Sequence, residues 1–426
     1  MIALLFVSFL VLLFAGVPVA FCLGISSAVY FVGTGMPLNT MAQRFFSGID
    51  SFTLLCVPGF ILAGNLMNSG GITDRIIGFC NKLVGHIRGS LGLANIVASM
   101  IFAGISGTAV ADASSIGGIL IPAMIKEGYE DDFSVGVTAA SSCIGPIIPP
   151  SLPMIIAATL TGLSVSKMFV AGILPGILMG GGMMAVSYYI SCKRNHPKHE
   201  KATIKEILSS GKEAFWALLM TLIILLGIIG GFVTPTEAAI VAVLYALVVG
   251  ILVYKELTLK NIVKVIVESA IATASIMVLV GFANIFAYIM SKEQIPQLVA
   301  TAMLNLTRNP YLLLLLINLL LLFVGCFMET IAALLILFPI LLQVAVSVGI
   351  NPIHFGIIAV LNLVLGLTTP PVGVCLFVTS SIGKISLAKA TKGVMPFFLV
   401  NLLVLFIVTY VPWVTLGLVR LVFGNA

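Results

Sequence analysis

Charge is what this sequence has least of. Asp, Glu, Lys and Arg make up 8% of its 426 residues, hydrophobic residues make up 60%, and the mean hydropathy is +1.22. So little charge cannot clothe a water-soluble globule of this size, which excludes that class. The apolar runs are continuous and do not alternate, which excludes a β-barrel. No G-x-x-x-x-G-K-[ST] stretch occurs, so the chain holds no P-loop for ATP. The seven cysteines contain no C-x-x-C pair and point to neither a disulfide framework nor a zinc site. The four histidines, His86, His196, His199 and His354, show no ligand spacing and are expected in surface loops or interfaces. The first positive side chain is Arg44, so the apolar start lacks a basic n-region and reads as mature membrane helix.

What remains is a series of apolar stretches, each near the roughly 20 residues that a helix needs to cross a bilayer. The expected fold class is therefore an all-α polytopic membrane protein. Its second half repeats its first at an offset of 221: Gly104 falls on Gly325, Gly145 on Gly366, Pro149-Pro150 on Pro370-Pro371, Gly172 on Gly393 and Pro175 on Pro396. Nearer the start the offset drifts, Asn65 meeting Asn284 at 219. Residues 1–192 and 214–426 are thus read as two repeats joined by a linker, 193–213. The linker's six Lys/Arg place it in the cytoplasm by the positive-inside rule. Each repeat then crosses an odd number of times, which makes the pair inverted. With an outside amino terminus, sixteen Lys/Arg fall on the cytoplasmic side and five (Arg44, Lys167, Lys292, Arg308 and Arg420) on the other.

Each repeat is expected to hold scaffold helices (1–75 and 214–290), a re-entrant hairpin (about 90–126 and about 296–348) and a broken helix (133–162 and 353–381). In the first hairpin, "FAGISGTAVADASSIGG" (102–118) crowds glycine, hydroxyls and an aspartate between helices of about 20 Å, too short to cross alone. Irregular backbone at membrane depth is tolerated only inside protein or beside a water-filled cavity. "SSCIGPIIPPSLP" (141–153) and "LNLVLGLTTPPVG" (361–373) place Gly and Pro-Pro at matched points of long apolar runs. Paired interruptions of this kind mark transport sites.

Unwound carbonyls and hydroxyls suit a hard monovalent cation, and half-helix amino ends suit an anion. One cation site is expected at Gly104, Ser106, Thr108, Asp112, Ser141, Gly145 and Ile148 (by its carbonyl). A second is expected at Gly325, Glu329, Thr330, Asn362, Gly366, Thr368 and Thr369. The substrate is expected between them, at Ser106, Gly107, Pro149, Pro150, Thr330, Pro370 and Pro371. Asp112 also reads as a cap taking the N–H groups of Ala113 to Ser115, and Glu329 as a buried acid held by backbone or hydroxyl partners. "TPTEAA" (234–239) is a capping box with proline at the first helical position, so a structural helix start. The glycines and methionines of "ILMGGGMMAV" (177–186) read as close helix packing.

"GISGTAVADASSIG", "IGPIIPPS", "TPTEAA", "GCFMET" and "GLTTPPVG" together resemble the large membrane subunit, also called M or DctM-like, of tripartite ATP-independent periplasmic (TRAP) transporters. The resemblance spans the whole chain, and its pattern is nearest to the sialic-acid-transporting members. It implies the ion-transporter superfamily fold, an elevator motion and uptake driven by sodium, with sodium as coupling ion and no further cofactor. It also implies two partners: a small four-helix (Q-type) membrane subunit and a soluble periplasmic (P-type) binding protein. The substrates it implies are organic acids, including C4-dicarboxylates and N-acetylneuraminate, and the place is the bacterial inner membrane with both termini periplasmic. A stand-alone carboxylate transporter of the same superfamily is the alternative. An intramembrane aspartyl protease fits poorly, since neither Asp112 nor Glu329 sits in a G-x-G-D setting. No enzyme activity is expected.

Overall fold

Proline, glycine and capping residues punctuate the chain into helices at nearly every change of direction. The computed structural model describes residues 1–307, 309–370 and 373–424, and among them no strand occurs. The first half runs α1 (Ile2–Phe14), α2 (Val19–Thr34), α3 (Leu38–Ile49), a 3-10 turn (Phe52–Leu55), α4 (Cys56–Ser69) and α5 (Ile72–Val84). It continues with α6 (Ser90–Ser106), α7 (Ala109–Lys126), α8 (Asp131–Ser142), α9 (Leu152–Thr161) and α10 (Val165–Lys193). The second half begins with α11 (Ile204–Ile229), α12 (Pro235–Val248) with a wider π turn (Val249–Val253), α13 (Leu259–Lys292) and α14 (Ile295–Leu306). Then come α15 (Pro310–Gly325), α16 (Thr330–Ser347), α17 (Pro352–Gly366), α18 (Val374–Gly383), α19 (Leu387–Tyr410) and α20 (Trp413–Phe423). Among the described residues, eight stretches are long and apolar enough to cross a membrane.

Element order recurs between the halves. A helix, a short tip and a returning helix (α6–α7, α15–α16) precede a broken pair (α8–α9, α17–α18) and a long helix with an internal proline, Pro175 in α10 and Pro396 in α19. The first tip is tighter than expected, Gly107–Thr108, and the second runs over Cys326–Glu329. The second hairpin is also shorter than 296–348. Residues 295–306 form the separate helix α14, and Pro310, which lacks an N–H, opens α15. The charged linker shrinks likewise, because Thr203 and Glu206 form a capping box that starts α11 at Ile204. The expected box at Thr234 and Glu237 starts α12, with Pro235 at its first position.

Two short amphipathic helices escaped the sequence reading. α3 buries none of its residues fully. It lies against α13, with Phe45 5.0 Å from Phe282 between ring centroids and Arg44 4.2 Å over the Tyr288 ring. α5 follows α4 after a left-handed Gly71 and carries Asp74 in its first turn and Lys82 in its last, matching its dipole.

The halves interlock. α4 packs on α12 and α13, while α8 packs on α7, α18 and α19. Where α8 crosses α19, a methyl on Gly136 would lie 2.7 Å from the Val394 nitrogen, so glycine is what permits the approach. In "ILMGGGMMAV" a methyl on Gly182 would lie 2.6 Å from the Val400 side chain, and one on Gly180 would strike Met100. That stretch is a packing surface, as its composition implied.

The start of α8 is pinned by ions. Arg194 makes a two-pronged bond to Asp132 (2.9 and 3.0 Å), and Lys389 reaches Asp131 at 2.6 Å. His196 is not a surface residue: it is 3% exposed, its ring bonded to Ser191 (3.0 Å) and Glu130 (2.6 Å) and set against Tyr129 and Phe133. Burial alone would push the Glu130 carboxyl up, but His196 and Arg194 outweigh it and hold Glu130 below the usual carboxylate range. Asp132 is burdened by burial in the same way and is likewise held low by Arg194 and Lys389. His354 is also buried rather than looped, bonded to Thr415 (2.7 Å) and the Thr409 carbonyl (3.3 Å). Its place near the start of α17 put it in a loop on sequence grounds, and packing against α20 encloses it.

Candidate functional site

Glycine ends α6. Gly107 turns left-handed at φ 62°, and a methyl there would lie 2.8 Å from the Pro150 carbonyl. Its own carbonyl accepts from Leu152 N–H at 3.3 Å, so the tip is seated on the break between α8 and α9. That break holds Pro149 and Pro150, joined by a cis peptide bond, and Ser151, which caps α9 by accepting from Met154 N–H at 3.2 Å.

Thr108, not Asp112, caps α7, its hydroxyl accepting from Ala111 N–H at 3.4 Å. Asp112 lies one turn inside and points away from the free N–H groups, so the capping role read for it is corrected. Its carboxylate accepts from the Ser106 hydroxyl, the residue is fully buried, and its second oxygen has no partner. That orphaned oxygen faces Gly145. A methyl on Gly145 would run into the Asp112 carboxylate and sit 3.2 Å from the Thr108 carbonyl. Ser106, Thr108, Asp112 and Gly145 therefore converge. A buried carboxylate oxygen without a partner is costly, and a cation is the kind of partner that relieves it.

The other residues read for this site stand elsewhere. The Ser141 hydroxyl is committed to Asn95 (3.0 Å) and Ser99 (3.0 Å), which tie α8 to α6. Gly104 faces the Thr221 side chain on α11, and the Ile148 side chain lies over Gly176.

At the second tip the acid has the opposite role. Glu329 is the N-cap of α16 and accepts from Ile331 N–H (2.9 Å) and Ala332 N–H (3.2 Å). Backbone thus holds it, as the plainer reading had it, while its side chain keeps some open surface. Gly325 and Gly366 touch backbone to backbone, a methyl on Gly325 lying 3.2 Å from the Gly366 Cα. Thr369 donates to the Gly366 carbonyl (2.8 Å) and meets the Cys326 thiol (3.1 Å). Thr368 donates to the Leu365 carbonyl at 2.8 Å, and the buried Thr330 hydroxyl has no partner. Asn362 donates to Asn318 (2.7 Å), and its carbonyl oxygen is buried and unpaired. Pro370 is exposed, and Pro371 lies outside the described residues.

A cavity of about 280 Å³ opens beside the first tip. Its polar lining is Asn65, Asn68, Ser106, Thr108, Ser114 and Ser115, with apolar walls from α4, α6, α7 and α13. Of the residues read as substrate-binding, Ser106 lines it; Gly107 and Pro150 border a closed crevice next to it. Pro149, Thr330 and Pro370 are not in its lining. Sequence reading missed Asn65 and Asn68 as site residues, although Asn65 stood out as a repeat landmark; an asparagine in an apolar helix was the available signal.

Comparison with known proteins agrees with this architecture. Residues 6–414 match the model of the tripartite ATP-independent periplasmic transporter, DctM component. The sialic acid TRAP transporter large permease protein SiaM of Vibrio cholerae is 46% identical over 97% of this chain and 97% of its own length. The C4-dicarboxylate TRAP transporter large permease protein DctM of Pseudomonas aeruginosa is 40% identical, covering 89% of each. The sialic acid TRAP transporter permease protein SiaT of Haemophilus influenzae is 41% identical over 95% of this chain, which spans 66% of that longer protein. Among solved structures, the YdaH transporter of Alcanivorax borkumensis shares the fold, with a TM-score of 0.62 at 17% identity over 89% of this chain and 88% of that one. The chain belongs to the DctM family, the large membrane permease components of tripartite ATP-independent periplasmic transporters.

Proposed function

We propose that this chain is the permease of a sodium-coupled secondary transporter that imports an organic acid handed over by a periplasmic binding protein. The observation that carries the reading is the orphaned Asp112 oxygen, which faces Gly145 beside the cavity that Ser106 and Thr108 line. Sodium entering there satisfies a buried acid and ties Ser106 and Thr108 to α8. The hairpin then closes over the acid only when the cation is present, which is the coupling. Gly325, Gly366 and Thr369, with Asn362 and Thr330 nearby, form the second cation site. Relatives named for sialic acid and for C4-dicarboxylates support an organic-acid cargo. The hairpins and broken helices of two inverted repeats (1–192 and 214–426) carry the cargo by an elevator movement against the scaffold helices (1–75 and 214–290). The chain lies in the bacterial inner membrane with the linker inside, pairs with a small four-helix subunit and catalyses no covalent chemistry.

The test is uptake into proteoliposomes holding this chain, its small subunit and the binding protein. Uptake of sialic acid or succinate should require an inward sodium gradient and collapse in Asp112→Asn. Sodium-independent uptake would sink the coupling. Uptake without any binding protein would favour the stand-alone carboxylate transporter.

A further inference from the structure

The scaffold side of the cavity presents two amides, each tied at one end to a buried hydroxyl. Asn65, on α4, donates one N–H to the Ser269 hydroxyl of α13 at 2.9 Å, which leaves its carbonyl oxygen and its second N–H open. Asn68, one turn on, has its carbonyl oxygen occupied by the Thr73 hydroxyl at 2.9 Å, which leaves its NH₂ open. Ser269 and Thr73 are 4% and 3% exposed, so the groups that orient the amides are themselves held by packing. Residues three apart on a helix share a face. The cavity is thus offered an acceptor and a donor side by side, and across from them stand Ser114 and Ser115 on α7. Ser114 gives its proton to the Ala111 carbonyl at 3.0 Å and so accepts from the cavity. Among the described residues no charged side chain lines this space.

From this we infer that Asn65 and Asn68 are specificity-determining residues that select an acid rich in hydroxyl or acylamino groups, with Ser269 and Thr73 as their positioning residues. The inference rests on the reading that this cavity receives the cargo. The open carbonyl oxygen at Asn65 welcomes an O–H or N–H, which a carboxylate lacks. The Asn68 amide complements it with a donor for a hydroxyl or acyl oxygen. A hydroxyl next to an acylamino group engages both at once. A compact diacid would face this wall with a second carboxylate and no cation to meet it, a costly burial. It would also leave much of the cavity to water. Sites built to hydrogen-bond a substrate group reject analogues lacking it far better than apolar pockets do, because their own polar groups are left unpaired.

The experiment is sodium-driven uptake by the complete three-part transporter, with sialic acid, 4-deoxy sialic acid and succinate as probes. Asn68→Ala, at an exposed position, and Asn65→Ala should each raise the KM for sialic acid roughly five- to tenfold, about one neutral hydrogen bond's worth. Each should shrink the preference for sialic acid over the deoxy analogue, with the sodium concentration for half-maximal uptake unchanged. Ser269→Ala should shrink that preference at nearly constant Vmax, and Ser269→Thr should restore it. An unchanged KM and preference in Asn68→Ala would overturn the inference, as would a wild type that takes succinate as well as sialic acid. A wild type with no sodium-driven uptake of either acid would instead sink the functional reading beneath it.

Discussion

The two hairpin tips hold one acid each and use them in opposite ways. Glu329 stands at the first residue outside α16 and spends its carboxylate on two backbone N–H groups. Asp112 stands one turn inside α7, where those N–H groups are out of reach, and keeps one oxygen buried without a partner. A shift of one helical turn turns a structural cap into a candidate ion ligand. Charge at depth is therefore a weak guide by itself; what its oxygens already hold decides its use.

The sharpest break of this comparison is a pair of isosteric changes. Asp112→Asn should raise the sodium concentration for half-maximal uptake by roughly 30-fold, about 2 kcal/mol for one charged ligand oxygen. Glu329→Gln, which keeps an acceptor for the N–H groups, should change it less than about threefold. Equal losses in the two would erase the distinction between the tips.

Next in size are the glycines facing each tip. A methyl on Gly366 meets backbone that cannot turn aside, so Gly366→Ala should destabilise by about 1–3 kcal/mol. Its melting temperature in detergent should fall by several degrees. A methyl on Gly145 meets a carboxylate that can rotate, so Gly145→Ala should keep its melting temperature while sodium affinity drops. A smaller effect is expected from the caps: Glu329→Ala should cost about 1 kcal/mol and speed hydrogen exchange at Ile331 and Ala332.

The smallest effect lies away from both tips and serves as their reference. Glu130 is held below the ordinary carboxylate range, so its stabilisation is full above that range and lost as pH falls through its lowered value. Its side chain is 44% exposed, so solvent screening keeps the effect under about 1 kcal/mol. The melting temperature should decline below about pH 5, and Glu130→Gln should flatten that decline. Glu130→Gln should leave sodium affinity at neutral pH unchanged.

Most of the helical frame was legible because apolar runs, prolines and capping boxes are local signals. The first tip was expected near 102–118, and the two halves aligned on glycines and prolines alone. Three kinds of feature were not legible. α3, α5 and α14 are short and only partly apolar, so a membrane-length window passes over them. The partners of Ser141 come from α6, more than forty residues earlier, and no local pattern announces them. The hydrogen-bond partners of Asn65 and Asn68 are Ser269 and Thr73, the first of which is 204 residues away. Sequence shows which polar groups are present; packing decides which of their atoms remain free.

The glycine crossing of α8 and α19 bears on how the molecule can divide. Gly136 belongs to the first half and Gly393 to the second, and their backbones leave no room for a methyl between them. Contact this close resists sliding, since any shift drives backbone into backbone. The seam along which parts can move therefore cannot follow the seam between the halves of the sequence: whichever body carries α8 takes α19 with it.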